Sequence, residues 1–139
     1  MKRPMLIAVV NVLQFLLGLS LAGLTVYLLT LTRSHETLAD PDAADTVHGL
    51  LIGAAVLGVP AVITLIAVWG LWKQRFWGWV LSLATDVGML AVFLYSIFDE
   101  NSRDADEMAM AVAFFVPLIF LLLPAVRRFY WSATTSSAV

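Results

Sequence analysis

The sequence predicts an all-α protein: a four-helix bundle integral to a membrane, with up-down topology and both termini cytoplasmic. Three observations predict it. The 139 residues are 61% hydrophobic and only 13% charged, with a mean hydropathy of +0.92. An ordinary soluble domain carries roughly 25% charge, and so short a chain buries too small a share of its surface to hide that excess from water. Second, apolar runs at 5–32, 47–72, 76–98 and 108–126 are each about the 20 residues that a helix needs to cross a hydrocarbon core of about 30 Å. Third, the charges are sorted to opposite ends of these runs.

The first run is interrupted only by Asn11, Gln14 and small hydroxyl residues. It is too long for the core of a cleaved signal peptide, usually about 7–15 residues, and long enough to tilt or project from the bilayer. The acidic, turn-rich segment 33–46 follows, with Asp45 or Thr46 placed to cap the second helix. Residues 73–75 leave room only for a tight helical hairpin between the second and third runs. Segment 99–107 is again acidic, with Ser102, Asp104 and Asp106 as candidate caps. The polar tail 132–139 reads as disordered. The whole chain reads as a single transmembrane domain.

Six of the eight basic residues (Lys2, Arg3, Lys73, Arg75, Arg127 and Arg128) fall at one end of the runs, which holds no acid, while nine of the ten acids fall at the other. Basic residues in short loops stay cytoplasmic, so the acidic loops are expected outside. The aromatic residues agree. Trp69, Trp72, Trp77, Trp79 and Trp131, with Phe76, Phe129 and Tyr130, gather at the basic end, as a belt at the membrane interface does. The expected location is the cytoplasmic (inner) membrane of a bacterium.

Asp86 is the one acid inside a run and lies at its middle. A charge at that depth costs at least about 2.5–3.5 kcal/mol, and no Lys, Arg or His shares the depth, so its partners within one chain are neutral groups or water. Helical steps of three and four put Asn11, Gln14, Gly18, Ala22 and Thr25 on one face of the first helix, and Gly78, Ser82, Thr85 and Asp86 on one face of the third. If those faces oppose, Gln14 comes within reach of Ser82 or Asp86. Gly49 and Gly53 on the second helix, continued by Pro60 and Thr64, and Ala109, Ala113 and Pro117 on the fourth, are small-residue rows that let helices approach closely. Pro60 and Pro117 lie near mid-run, where each removes a backbone donor and kinks its helix. Together these groups outline a polar seam at the membrane midplane.

The four-run layout is similar to that of the small multidrug-resistance transporters. Their membrane acid belongs to the first helix, whereas Asp86 lies in the third, so the resemblance carries no functional residue across. Trp69-Gly70-Leu71-Trp72 is similar to a motif of claudin-like tetraspans, which carry it with paired cysteines in a large external loop that this chain lacks.

Composition excludes a nucleic-acid binder, which needs a surplus of Lys and Arg where this chain has a net charge of -2. Without cysteine there is no disulfide, thiolate metal site or cysteine nucleophile. His35 and His48 flank the first acidic segment with no ligand spacing, so no metal and no cofactor is expected, and no nucleophile or phosphate-loop motif points to an enzyme. The expectation is a non-enzymatic binding or assembly protein whose seam (Asp86, Gln14, Asn11, Ser82, Thr85) engages a lipid, a small amphipathic ligand or a partner helix. Four thin helices favour a homodimer or a larger membrane complex. The alternative is a small proton-coupled transporter in which Asp86 alternates between protonated and ligand-bound states.

Overall fold

The structure, a computed structural model, describes residues 4–36, 43–99 and 105–136. It contains α1 (Met5–Glu36), α2 (Ala43–Trp72), α3 (Phe76–Asp99), α4 (Ala105–Leu122) and α5 (Pro124–Ser136), with no strand among the described residues. α1, α2 and α3 are each long and apolar enough to cross a membrane, and α4 with α5 forms a fourth crossing if that bent pair is one span.

The helices run past the apolar stretches at the acidic end. α1 continues to Glu36, α2 begins at Ala43 and α4 at Ala105. An apolar run measures what lipid can cover, whereas a helix continues while good helix formers such as Ala43, Ala44 and Ala105 follow one another. Asp45 and Thr46 therefore lie inside α2 instead of capping it, and Asp45 occupies the first turn, where its charge faces the positive end of the helix dipole. Asp106 is likewise inside α4. Ser102 and Asp104 lie outside the described residues.

The largest departure from the sequence reading is at the basic end. The fourth run does not continue to residue 126; it stops at Leu122 and turns by 60° into α5. Pro124 supplies no N–H and disfavours helical backbone at Leu123. The Phe120 carbonyl, which residue 124 would otherwise engage, accepts from the Leu123 N–H at 3.3 Å. Leu121 offers its carbonyl to the Trp79 indole N–H at 3.1 Å. Residues 132–136, expected in a disordered tail, belong to α5, because Val126 and Tyr130 one turn apart dock the helix into the core; 137–139 lie outside the described residues. Pro60 and Pro117, expected as kinks, sit within α2 and α4 without ending either helix.

The α2–α3 hairpin has a specific closure. Gln74 adopts φ 56°, its N–H bonds the Leu71 carbonyl at 3.0 Å, and the Arg75 N–H reaches back to Gly70 at 2.9 Å. These two bonds are a Schellman motif with glutamine at the left-handed position that glycine usually takes. Beyond the turn the helices touch backbone to backbone: a Cβ on Gly78 would lie 2.6 Å from the Gly70 carbonyl carbon. α1 and α2 also meet at glycines, Gly18 against Thr64 and Leu65, and Gly58 against Thr25. Of the expected row on α2, Thr64 lies at this close approach, whereas Gly49 faces open space.

The packing is polar inside and apolar outside. Val12, Phe15, Leu19, Val62, Ile66 and Val87 are exposed, while Asn11, Gln14, Thr64, Ser82 and Asp86 are buried. Two apolar clusters hold the bundle. Ile7, Val10, Leu71, Trp79, Leu121, Val126 and Tyr130 fill the basic end. Leu17, Leu21, Ala61, Met89 and Phe114 fill the half toward the acidic end. Thr32 apart, the buried polar residues of α1, α2 and α3 fall between these clusters.

Gly78→Ala is expected to destabilise the protein by about 3 kcal/mol, the upper end of the usual overpacking cost. Gly88→Ala, with nothing within 4 Å of its Cβ, should be neutral or gain up to about 1 kcal/mol. Thermal unfolding in detergent compares them; equal effects would contradict the backbone contact. Gln74→Gly should stabilise the hairpin by about 1 kcal/mol, read by the same assay.

Candidate functional site in the bundle interior

A polar group placed mid-helix in an apolar segment has two ways to satisfy itself: bond its own helix, or turn inward and meet other helices. The hydroxyls divide cleanly. Thr25, Thr32 and Thr85 donate to the carbonyls four residues earlier, Leu21, Leu28 and Leu81, at 2.8, 2.9 and 2.8 Å. Thr64 and Ser82 make no such bond; both are fully buried, with hydroxyl oxygens unpartnered among the described residues.

Asp86 lies at the centre of this layer. It is 0% exposed, and Gln14 Nε2 donates to its Oδ2 at 2.5 Å. The reach across 72 residues joins α1 to α3. The other Asp86 oxygen, Oδ1, has no partner among the described residues, nor do Gln14 Oε1 and Asn11 Oδ1. Each buried, unsatisfied polar atom costs about 1–3 kcal/mol. All five unpartnered atoms are oxygens. The two amide oxygens are acceptors only, and so is the Asp86 oxygen while the carboxyl is ionised. The layer therefore suits species that bring hydrogen-bond donors or positive charge: a proton on Asp86, water, or a small cation or ammonium group.

Of the residues singled out in the sequence, Asp86, Gln14, Asn11 and Ser82 are brought into this buried layer. Thr85 is half-buried, its hydroxyl spent on its own helix. Pro117 is buried and Pro60 half-buried. Thr64 completes the layer and was not among the expected site residues. Its signal was its depth: it is a polar side chain deep in the 47–72 run, one turn from Pro60. Gly18 brings α1 close to it, with a Cβ there standing 3.3 Å from Thr64 Cγ2. Among the described residues no cluster of three His, Asp or Glu side chains is placed to hold a metal ion.

The aromatic belt also divides. Trp69, Trp72, Trp77 and Trp131 are exposed, but Trp79 and Tyr130 are interior. The Tyr130 hydroxyl lies 3.4 Å from the Leu71 carbonyl, so with Trp79 it closes the polar layer from the basic end.

Comparison with protein-family models, with curated proteins and with solved structures finds no match to this chain.

Replacing Gln14 with Leu removes the donor that Asp86 accepts from and should cost about 1–3 kcal/mol. The Gln14→Leu/Asp86→Leu pair should cost less than the sum of its single variants, because the two side chains share one bond. A double-mutant cycle of detergent unfolding measures the coupling; additivity would show that the bond contributes nothing.

Proposed function

We propose that this protein is a small, non-enzymatic integral membrane protein that binds a ligand at the polar layer around Asp86. The observation that carries the reading is the Gln14–Asp86 bond, set among five buried oxygens that have no partner among the described residues. Of the occupants considered from the sequence, a small ligand with a donor-bearing or cationic head suits the layer best. Asp86, Gln14, Ser82 and Thr64 are each 0% exposed within a single chain, which leaves no polar edge for a partner helix or a lipid headgroup. A homodimer or larger complex would form through the outer apolar faces, such as that of Val62 and Ile66, without using the layer.

In this reading α1, α2 and α3 cross the membrane and α4 completes a fourth crossing. At about 1.5 Å per residue its 18 residues extend roughly 27 Å, close to the hydrocarbon thickness. The basic end, with both termini, is cytoplasmic and the acidic segments external, in a bacterial inner membrane. Arg127 and Arg128 support that orientation, and the exposed tryptophans support an interface at the same end.

The second reading, proton-coupled transport, is favoured by the apolar closure on both sides of the layer, because alternating access needs a site that can be shut from each side. In it Asp86 exchanges a proton for the ligand.

Thermal unfolding in detergent with sodium, potassium or methylammonium chloride at matched ionic strength tests the binding reading. At least one cation should raise the melting temperature of the native protein by several degrees, and Asp86→Asn should abolish the shift. A native protein indifferent to all three would overturn the reading. For transport, liposomes loaded with a pH dye should show cation-driven proton movement that is lost in Asp86→Asn.

A further inference from the structure

We infer that the elbow between α4 and α5 is a binding site for the phosphate of an anionic phospholipid. The 60° turn opens a groove of about 670 Å³ in which Arg127 and Arg128 both take part. Among the described residues neither guanidinium is paired with a carboxylate. The described acids with exposed side chains, Asp45, Asp99 and Asp106, lie at the opposite ends of their helices. Arg127 lies against the exposed Trp131 ring, its Cζ 5.8 Å from the centroid, which restricts the guanidinium and leaves its N–H fork free. Ser132 and Thr135, one and two turns beyond Arg128, add hydroxyls to the same groove. These now donate to the Phe129 and Ser132 carbonyls and can turn toward a phosphate oxygen.

The other wall decides for a lipid over a soluble phosphate. Leu122 and Pro124 form it, and Leu122 is exposed at the end of the apolar α4. The groove thus passes from an apolar surface to a pair of cations over the length of the elbow, in the order in which a phospholipid presents its glycerol-ester region and its phosphate. Two unpaired positive charges select an anionic headgroup over a zwitterionic one. Basic residues near an anionic leaflet contribute about 1 kcal/mol each, or about fivefold in affinity. Planar guanidinium groups suit phosphate better than lysine does. The inference rests on the membrane reading above and is independent of the ligand at Asp86.

The full-length protein, purified in detergent and titrated with phosphatidylglycerol or phosphatidylcholine, is scored for bound lipid by native mass spectrometry. Phosphatidylglycerol should bind about thirtyfold more tightly, and Arg127→Gln/Arg128→Gln should remove that preference. Lys73→Gln/Arg75→Gln deletes the same charge from the same end outside the groove and should change binding by less than about fivefold. Equal losses in the two double variants would reduce the effect to a diffuse field and overturn the site. So would the absence of any headgroup preference, or full displacement of the lipid by equimolar glycerol phosphate, which would mark a soluble-phosphate site. If the arginine variant does not fold, Ser132→Leu/Thr135→Leu fills the groove from exposed positions; binding must fall at least about fivefold, and unchanged binding overturns the inference. Release of the protein from membranes by alkaline carbonate would mark failure of the membrane reading, separately from the lipid preference.

Discussion

The hydrogen bond from Gln14 to Asp86 constrains the rest of the fold. An acid in the middle of an apolar helix must be enclosed, because at that depth lipid offers it nothing. Enclosure requires α3 to turn Asp86 inward and α1 to bring an amide to the same depth. The registers of both helices then follow. Ser82 one turn before Asp86, and Asn11 one turn before Gln14, must also enter the interior. One carboxyl thus recruits a polar layer, and the apolar residues are left for the two clusters on either side and for the outer surface.

Close helix approach makes that layer possible. Side chains as short as Thr64 and Ser82 can share a layer with Asp86 only if the backbones come near one another. Gly18 brings α1 against α2 at Thr64, and Gly70 meets Gly78 where α2 turns into α3. In lipid, where apolar side chains gain little by leaving one apolar medium for another, such contacts and interhelical hydrogen bonds carry much of the association. The α2–α3 hairpin therefore contributes more than its turn: Gly78 starts the helical row that leads through Ser82 to Asp86.

The apolar runs and the sorting of charge were legible in the sequence, because each follows from a count; helical period put Gln14 and Asp86 each on a polar face of its own helix, but not those two faces against each other. What was not legible depended on three-dimensional packing. Trp79 and Tyr130 have the composition of interface anchors, and only the carbonyls of Leu121 and Leu71 draw them inside. Pro60, Pro117 and Pro124 look alike by residue type. The chain stays helical through the first two and breaks at the third, where the Trp79 indole takes up the Leu121 carbonyl and α5 finds a docking face. Thr64 was legible as part of the α2 row but not as a site residue, because one threonine in a helix usually bonds its own backbone, as Thr25 and Thr32 do.

The two closures of the polar layer differ in kind, and that difference bears on how anything reaches it. Toward the basic end the closure is fastened by directional bonds: the Trp79 indole to the Leu121 carbonyl at 3.1 Å and the Tyr130 hydroxyl to the Leu71 carbonyl at 3.4 Å. Opening it means detaching α5 and stranding buried carbonyls. Toward the acidic end the closure is Leu17, Leu21, Met89 and Phe114, with Phe93 stacked on Phe114 at 5.8 Å. Dispersion holds that side, and methionine repacks with little penalty. Separating apolar side chains inside a bilayer exposes them to lipid tails of similar polarity, so this side costs less to part. In the proposed membrane reading, the easier route to Asp86 therefore runs from the acidic end, since the basic end would have to give up directional bonds and the acidic end only dispersion contacts.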